Sequence, residues 1–403
     1  MAPPSDIERA KLAAKLKETL SSTPYACSSL EQTNGGTTSF VFKGVIEKPL
    51  ILNDKDDRKE DYVIVKHATG YASCNRDFPI DASRSSFEAH MLSFLQDFST
   101  PETKAPWNVK TPKSYHFNAK SNLQVTQYLA STQPLHTSLP SLAPTDAFSI
   151  GLALGSWLRA FHTYTSSPSQ FQLRSKIAEN TAAEELRNRI TWQRGSHILN
   201  NTLKHVLSDE ERKILDTAHH LAKQHLGPFS APEPTKIVHG DFWAGKYVST
   251  LLYVPSPTKL TSQTSVLIPD HTSMVPCSTI YVIDFEFTHL SSYSTDLGQF
   301  LGDLLERFYL NPSLQPTISE LIRGFTTGYG RLDEALAFRT AINAGVQMLN
   351  WWGRGPKDGL DESVRKRGVE LVREALRWVK AGCERDRAIF LEIIKCKTHK
   401  FTV

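Results

Sequence analysis

The chain has 403 residues, a formal net charge of +4, 40% hydrophobic residues and 22% charged residues. This composition is typical of a globular protein with one large domain or two coupled domains. So small a net charge argues against a nucleic-acid partner or a membrane-surface protein. The five cysteines have no C-x-x-C spacing, so we expect neither a disulfide framework nor a zinc site. Because the start is charged and no apolar run approaches about 18 residues, we expect a soluble cytoplasmic protein.

The first 130 residues are predicted to form a β-rich unit with one long internal helix. Ser5 and Glu8 form a capping-box pattern in front of a helix that reaches Leu20. A small-residue turn, Asn34–Thr38, separates the first two strands. The strands are predicted at Tyr25–Glu31, Ser39–Ile46, Tyr62–Lys66, Thr111–Phe117 and Leu123–Leu129, and the internal helix at Ser83–Phe98.

The rest of the chain, 131–403, is predicted to be mostly helical. Helices are predicted at Phe148–Thr163, Ala182–Leu226, Asp296–Phe308, Pro316–Tyr329, Asp333–Trp352 and Asp361–Ile394, with strand-and-loop segments at Ile237–Ser249 and Ile280–Phe287. Between those two segments, Val254–Thr279 is rich in Ser, Thr and Pro, which indicates a solvent loop or a flexible hairpin tip. A small β-rich lobe (1–130) before a larger helical lobe (131–403) is an α+β pattern. Ligand sites favour the cleft between such units.

Two segments of the second unit place acidic residues directly after apolar, β-branched runs. Asp241 follows Ile237–Gly240, and both Asp284 and Glu286 follow Ile280–Ile283. Carboxylates at the ends of buried strands are costly unless they are paired or bound to a metal. Mg²⁺ typically takes one or two carboxylates together with substrate phosphates. The pattern therefore predicts a magnesium-phosphate site.

These motifs also carry a family resemblance. His239–Asp241 resembles the catalytic loop of the aminoglycoside phosphotransferase and choline kinase superfamily, and Asp284–Glu286 is similar to the metal-binding Asp-x-Glu of methylthioribose kinases. The chain most resembles the methylthioribose-kinase-like small-molecule kinases, a group that includes the fungal hydroxytryptamine kinase. Further shared segments are Gly35–Gly36, Ile64–Ala68, Phe87–Glu88, Leu154–His162 and Ala344–Trp352. The resemblance implies a protein-kinase-like two-lobed fold. It also implies transfer of the γ-phosphate of Mg·ATP to a hydroxyl of a sugar, an amino alcohol or an indole alcohol.

The resemblance assigns roles to five charged residues. Asp241 would orient, and in part deprotonate, the attacking hydroxyl of the substrate. Asp284 would hold Mg²⁺, and Glu286 would support the same metal or a second one. Lys66 would contact the α- and β-phosphates, and Glu88 would hold Lys66 in place. The ordinary alternatives are helix or turn capping for the two aspartates and solvent-exposed charge for Lys66 and Glu88.

Two further segments are expected at the nucleotide. By the resemblance, Gly35, Gly36 and Thr37 would cover the phosphates with backbone N–H groups, although a Gly-Gly hairpin turn is the commoner meaning of such a pair. Gln127 and Leu129 would bound a hinge that contacts adenine through its backbone. The alternative for this segment is a plain strand leaving the small lobe.

The catalytic loop departs from the family at Lys246, which stands where the family usually has a metal-binding Asn. An ammonium group cannot coordinate Mg²⁺. Lys246 either contacts a phosphate directly, or marks a catalytically weak nucleotide-binding pseudokinase. The variant Lys246→Asn separates these two interpretations, since activity falls in the first case and rises in the second.

His239 is expected to support the loop, and Asp296 is expected to cap a helix or brace the loop. A protein kinase proper is disfavoured because H-R-D, D-F-G and A-P-E signatures are missing.

The substrate pocket is expected beside Asp241 in the helical lobe. Trp243, Trp351 and Trp352 are candidates to stack on a ring or a sugar, and Arg354 is a candidate to pair with an anionic group. Aromatic packing at a helix end is an equal alternative for Trp351 and Trp352. Arg354 is equally explained as a charge at a helix C-terminus.

Overall fold

The computed structural model describes residues 4–33, 36–51, 59–98, 106–193, 208–226, 236–245, 266–269, 279–352 and 361–387. The helices are α1 (Asp6–Leu20), α2 (Arg84–Phe94), α3 (Leu135–Ser138), α4 (Pro144–Thr165), α5 (Phe171–Ile177), α6 (Thr181–Asn188), α7 (Asp209–Leu226), α8 (Ser294–Leu310), α9 (Gln315–Tyr329), α10 (Glu334–Trp352) and α11 (Glu362–Glu384). The strands are β1 (Cys27–Gln32), β2 (Phe40–Ile51), β3 (Lys59–His67), β4 (Tyr71–Ala72), β5 (Asn75–Pro79), β6 (Asn108–Lys110), β7 (Ser114–Asn118), β8 (Leu123–Gln127), β9 (Thr132–Pro134), β10 (Lys236–Val238), β11 (Val266–Pro269), β12 (Thr279–Val282) and β13 (His289–Ser291).

The N-terminal region is built on a five-stranded antiparallel sheet in the order β1-β2-β3-β8-β7. Successive side chains of a strand point to opposite faces, so one strand serves two environments. On β3, Val63 and Val65 are fully buried in a small apolar core, whereas Ile64 and Lys66 lie on the opposite face. That opposite face forms one wall of the cleft described below.

Helix α1 covers the core side of this sheet. The Ser5 backbone N–H donates to Glu8 Oε2 at 2.8 Å, and the Ser5 side chain accepts from the Glu8 backbone N–H at 3.4 Å. The predicted capping box is therefore confirmed. From this start, Leu16 and Leu20 reach the apolar core under the sheet.

A second sheet, in the order β6-β12-β11-β9, contains strands from both sides of residue 130. Strand β12 pairs in parallel with β6 and antiparallel with β11. The predicted solvent loop at 254–279 is wrong for β11, because Val266 and Ile268 are fully buried. These two residues share one face of the strand and pack into the main apolar core. Residues 254–265 and 270–278 lie outside the described part of the chain.

The C-terminal part is mostly helical, and its helices pack closely. Helices α4 and α9 approach so closely that a Cβ on Gly151 would lie 2.2 Å from the Leu321 carbonyl oxygen. A Cβ on Gly324 would lie 2.0 Å from the Phe148 carbonyl oxygen, so only glycine fits at either position. A β-sheet region followed by a mostly helical part confirms the predicted α+β class.

Two predicted helices differ in extent from the structure. The predicted helix Ala182–Leu226 is broken, because α6 ends at Asn188 and a short π-helix, Arg189–Gln193, follows. The predicted strand-and-loop segment from Ile237 is confirmed as far as residue 245, with a strand that ends at Val238 and a turn at Gly240, whose φ is +80°. Helix α11 ends at Glu384 because Arg385 adopts a left-handed conformation, φ of 53°. Among the described helices, none combines the length and apolar character that crossing a bilayer requires.

Candidate active site

Four charged residues meet where the N-terminal sheet faces the helical part, and we call them the cleft cluster: Lys66, Glu88, Asp284 and Glu286. Lys66 Nζ lies 2.7 Å from Glu88 Oε2, donates to Asp284 Oδ1 and lies 3.5 Å from Glu286 Oε2. Lys66 comes from β3, Glu88 from α2 and the other two from the turn after β12. Three strand and helix ends that are distant in sequence therefore bring one ammonium among three carboxylates.

Glu286 is the most enclosed member of the cleft cluster, with no exposed surface. Its carboxylate accepts from the Thr38 hydroxyl, from Ser39 Oγ at 3.0 Å and from Arg84 Nε at 3.2 Å. Arg84 also donates to the Thr38 carbonyl at 2.8 Å. Glu286 therefore ties the turn before β2 to the start of α2. Sequence reasoning missed Thr38, Ser39 and Arg84, because their partner lies more than a hundred residues away.

Burial and charge act differently on the members of the cleft cluster. Burial raises the pKa of Asp284 to about 7, opposed by Lys66 and reinforced by the negative charges of Glu286 and Glu88. Burial also raises the pKa of Glu88, against the attraction of Lys66. For Glu286, burial is outweighed by Lys66, Arg84 and the two hydroxyl donors, which lower its pKa to about 2. Asp284 and Glu88 are thus less well satisfied by the protein alone than Glu286 is.

The donor set of the cleft cluster fits a magnesium ion. Carboxylate oxygens of Glu88, Asp284 and Glu286 all lie within 4.8 Å of one another, and hard oxygen ligands are those that Mg²⁺ takes. Asp284 adopts a left-handed backbone conformation with φ of 70°. This conformation is costly for a residue other than glycine, and such strain concentrates at functional sites.

The loop that carries Asp241 is held from below by Asp296. Asp296 Oδ2 accepts from the His239 backbone N–H at 2.8 Å, and Oδ1 accepts from the Gly240 N–H at 2.9 Å. His162 Nε2 lies 3.0 Å from the same Oδ2. The alternative that Asp296 is a helix N-cap is wrong, because Tyr293 is the N-cap of α8. Both oxygens of Asp296 are instead used on the loop and on His162.

Helix α8 continues this support along one face. Gln299 Oε1 accepts from the Phe242 N–H at 3.0 Å, and its Nε2 donates to the Gly240 carbonyl at 3.2 Å. Asp303 Oδ2 accepts from the Ala244 N–H at 3.3 Å. Asp296, Gln299 and Asp303 are spaced three and four residues apart, so they share a helix face. One rigid helix therefore sets the path of the loop that follows His239.

Arg187 of α6 is a further contact of the loop, and sequence reasoning missed it. Arg187 Nη2 lies 2.8 Å from Asp241 Oδ1, and Nε donates to the Gly240 carbonyl at 2.6 Å. The side chains of Arg187 and Asp241 are each 16% exposed. Asp241 therefore carries a guanidinium partner while keeping an edge open to the space beside it.

Two cavities adjoin these residues. The sheet cleft, of about 370 Å³, is lined by Gly36, Ile64, Lys66, Glu88, Gln124, Gln127, Tyr128, Leu129 and Asp284, among others. The Asp241 cavity, of about 220 Å³, is lined by Thr37, Thr38, Cys74, Asn75, Phe78, Ile80, Leu186, Arg187, Ile190, Asp241, Trp243, Phe287 and Gln347, among others. Thr38 lines both cavities. The cleft cluster and Asp241 therefore face two neighbouring spaces.

The predicted site residues divide between these spaces. Gly36 and the segment Gln127 to Leu129 line the sheet cleft, whereas Thr37 and Trp243 line the Asp241 cavity. His239 is fully buried, and its Nε2 lies 3.0 Å from the Ile283 carbonyl oxygen, which links the Asp241 loop to the cleft cluster.

Five predicted site residues lie wholly or partly beyond what the structure describes. Gly35, Lys246 and Arg354 fall outside the described residues, and Trp351 and Trp352 end α10 with side chains that are not described.

Gln124 is another cleft residue that sequence reasoning did not find. It lies beside Lys66 across the β3–β8 ladder. Its side chain is 1% exposed, and neither of its amide atoms has a hydrogen-bond partner within the described part of the chain. Buried amide groups normally have partners, so Gln124 offers an unused donor and an unused acceptor to the wall of the cleft.

Comparison with known proteins finds phosphotransferases. The chain is 30% identical to the phosphotransferase FrzJ of Cladobotryum sp over 360 residues, 84% of each protein. It is 23% identical to the 4-hydroxytryptamine kinase of Psilocybe cyanescens over 329 residues, 78% of this chain and 80% of the relative. No protein-family model matches the chain.

Among solved structures, a choline/ethanolamine kinase family protein from Mesorhizobium loti has a TM-score of 0.45 at 15% identity, covering 91% of this chain and 98% of the other. AMP-bound spectinomycin phosphotransferase has a TM-score of 0.46 at 14% identity, covering 92% and 98%. This chain has a β-sheet N-terminal region followed by a mostly helical C-terminal part, which agrees with the α+β architecture that its sequence predicts.

Proposed function

We propose that this member of the aminoglycoside phosphotransferase and choline kinase superfamily, an enzyme that phosphorylates an alcohol group of a small molecule, uses Mg·ATP as its donor. The observation that carries the proposal is the cleft cluster with Asp241 beside it. A lysine held by a helix glutamate, an acid after a strand and a second acid on a separate loop form the arrangement that phosphoryl transfer needs.

The nucleotide would lie in the sheet cleft. Lys66 at its inner end supplies a positive charge for the α- and β-phosphates, and Glu88 at 2.7 Å orients it. Gly36 lines the same cleft at a turn with φ of 91°, which favours glycine, and its backbone would approach the phosphates closely. The segment Gln127 to Leu129 also lines the cleft, and its backbone would meet the adenine ring.

Asp284 is the residue best placed to hold Mg²⁺. Its pKa is raised by burial, and it is 18% exposed, so a cation at this position relieves an unfavourable buried charge. Glu286 already accepts hydrogen bonds on both oxygens, so it would act mainly by fixing Asp284 and Lys66. When bound, the metal neutralises charge on the β- and γ-phosphates.

Asp241 would act on the acceptor. The hydroxyl oxygen forms a bond to the γ-phosphorus, the bond from that phosphorus to the β-phosphate oxygen breaks, and ADP leaves. The hydroxyl proton passes to the Asp241 carboxylate and then to solvent. Asp296 and Gln299 hold the loop and so fix the position of the Asp241 carboxylate. In such reactions most of the catalysis comes from the positioning of the reacting groups.

The two lobes would divide the work at about residue 130. Residues 1–130 would bind the nucleotide, and residues 131–403 would carry catalysis and substrate binding. Asp284 and Glu286 enter the sheet cleft from the second lobe, so Mg·ATP would be bound by both. The small-molecule acceptor would be a hydroxylated metabolite, as 4-hydroxytryptamine is for the 4-hydroxytryptamine kinases among the relatives.

The test is thermal unfolding with Mg·ATP, with ATP plus a chelator, and with neither. Binding to the native state raises apparent stability, by about 2.7 kcal/mol when the ligand is at 100 times its Kd. We expect a clear upward shift of Tm with Mg·ATP and a much smaller one with ATP plus chelator. No shift at millimolar Mg·ATP would contradict the proposal and favour a degenerate nucleotide site.

A further inference from the structure

We infer that the Asp241 cavity selects a hydroxylated compound whose body is compact, flat and apolar and which carries no ammonium group. This inference rests on the proposed function, because it takes the Asp241 cavity as the place where the acceptor hydroxyl is bound. It goes further by choosing among the sugar, the amino alcohol and the aromatic alcohol.

About half of the residues that line the cavity are apolar, and five of them form one continuous wall. Phe78 and Ile80 come from the end of β5, Leu186 and Ile190 from α6 and the π-helix after it, and Phe287 from the turn after β12. The same residues pack together as a small apolar cluster that is separate from the two larger cores. Small-molecule sites are typically apolar with a few placed polar groups. An aromatic ring suits such walls because it buries its faces there and presents a hydroxyl at one edge.

The charge of the cavity does not favour a cationic acceptor. Among the described residues that line it, Asp241 is the one carboxylate, and it is already paired with Arg187 at 2.8 Å. An ammonium group would either compete with Arg187 or lie without a partner, which is costly in a part-buried space.

An aromatic cage is the other common way to recognise a quaternary or primary ammonium. Here the Phe78 ring already faces a cation, since the Arg189 guanidinium carbon lies 4.9 Å from the ring centroid. An ammonium group on the same face of that ring would be repelled by Arg189, so this face is closed to a choline-like head group.

Size and polarity separate the remaining candidates. The cavity volume of about 220 Å³ falls below the range of about 300–1,000 Å³ for drug-sized ligands. One ring or two fused rings fit this space, whereas a multi-ring sugar does not. Apart from Arg187 and Asp241, five polar side chains are described in its lining: Thr37, Thr38, Cys74, Asn75 and Gln347. A sugar with a hydroxyl on almost every carbon would place some of its hydroxyl groups against the apolar wall, where they have no partners.

The test uses calorimetric binding in the presence of Mg²⁺ and a non-hydrolysable ATP analogue, so that it does not depend on turnover. The matched probes are 4-hydroxyindole and its aminoethyl derivative, 4-hydroxytryptamine. Choline serves as a cation without a ring, and glucose serves as a polar ring. We expect 4-hydroxyindole to bind at least as tightly as 4-hydroxytryptamine. Choline and glucose should bind at least roughly tenfold more weakly.

A variant pair makes the charge argument sharper. Cys74 is exposed at the rim of the cavity, so Cys74→Asp adds a carboxylate with little risk to folding, and Cys74→Asn is the neutral control of the same shape. Cys74→Asp should shift the ratio of the two Kd values toward 4-hydroxytryptamine by roughly fivefold, the size of an exposed ion pair. Cys74→Asn should leave the ratio unchanged.

Three results would overturn the inference. They are a clear preference of the native protein for 4-hydroxytryptamine over 4-hydroxyindole, tightest binding of choline or glucose, and no binding of any probe to protein that Mg·ATP stabilises. The last result would leave the proposed nucleotide site standing, whereas the absence of any Mg·ATP stabilisation would count against the proposed function itself.

Discussion

The cleft cluster and the support of the loop around Asp241 both contain buried carboxylates, but these carboxylates have different kinds of partner. In the cleft cluster, buried carboxylates face cations: Glu286 meets Lys66 and Arg84. Beneath the loop, the fully buried carboxylate of Asp296 faces two backbone N–H groups and a histidine. A carboxylate that is paired with a charged side chain can exchange that partner for a bound cation, and the side chain can then bind a phosphate. A carboxylate that accepts from backbone N–H groups instead fixes the path of the main chain, because each hydrogen bond holds one residue of the loop in place.

This difference suggests that the cleft cluster binds ligands and that the residues beneath the loop position Asp241. Asp284 is a loosely satisfied acid of the cleft cluster, with a pKa raised to about 7 by burial and by neighbouring negative charge. Asp296 has the opposite balance. Burial is outweighed by the hydrogen bond and charge of His162 and by the loop N–H groups, so its pKa is lowered. We therefore expect substitutions in the cleft cluster to change ligand binding and substitutions around the loop to change turnover or folding.

The largest expected effect separates Asp241 from Asp284. Asp241→Asn keeps the size of the side chain but removes the proton acceptor, so phosphorylation of an accepted alcohol should fall by about 10²–10⁴-fold. The Mg·ATP shift in Tm should remain, because Asp241 lines the Asp241 cavity rather than the sheet cleft. Asp284→Asn should lose most of that shift. Exposed Asp97→Asn is the control, and equal effects of the first two variants on the shift would contradict the division of labour.

The second prediction concerns Asp296, the carboxylate that accepts from the backbone N–H groups of the loop. Asp296→Asn places an amide donor against backbone donors, and hydrogen bonds to a charged group are each worth about 1.5–3 kcal/mol. Unfolding free energy should therefore fall by an amount of that order, as measured by urea denaturation. Asp333→Asn is the matched control, because the Asp333 carboxylate accepts from the Leu336 N–H at 2.8 Å but is exposed.

The same variant carries a pH dependence with a definite sign. The folded pKa of Asp296 is lowered below the ordinary value of 3.8, so its ionised form stabilises the native state above that pH. This contribution is lost as the pH falls below about 3.8. The gap in stability between the native protein and Asp296→Asn should therefore narrow as pH falls through this range. A gap that widens on acidification would show that Asp296 does not act through its charge.

Local patterns were enough to predict much of this molecule. The capping box at Ser5, the strand ending at Lys66 and the acids after Val282 are read from a few neighbouring residues, and the structure has them where the periodicity predicts. The α+β class and the family followed from the order of such segments. The predicted roles of the site residues stay predictions, although most of those that the structure describes line one of two neighbouring cavities.

What sequence reasoning missed depends on long-range packing. Arg84 reaches Glu286 across 202 positions, and Arg187 reaches Asp241 across 54. In the sequence both arginines resemble ordinary charged residues on a helix surface, and the hydrophobic periodicity of the helices does not show that they face the interior. Strand β11 was missed for a related reason, since four residues within a Ser- and Pro-rich stretch carry too short a pattern. Such short strands are fixed by their neighbours, here β12 and β9.

The smallest expected effect concerns the neutral support of the loop. Gln299→Leu removes a bond of 3.0 Å from the Phe242 N–H and one of 3.2 Å to the Gly240 carbonyl, each worth about 0.5–1.5 kcal/mol. The Gly240 carbonyl keeps Arg187 as a donor, so the loss of stability should come mainly from the Phe242 N–H, which loses its acceptor. The kcat should still fall, by roughly tenfold, because small displacements of a positioned group are costly in rate.

Gln315→Leu is the matched control for this variant. Gln315 Nε2 donates to the Phe308 carbonyl at 3.1 Å, at the start of α9 and away from the Asp241 loop. It should show a similar small loss of stability with kcat unchanged. If both variants lower kcat equally, rate follows stability in general and the face of α8 beneath the loop has no positioning role. If only Gln299→Leu lowers kcat while KM for ATP is unchanged, the neutral amide shares with Asp296 the task of holding Asp241 against the acceptor.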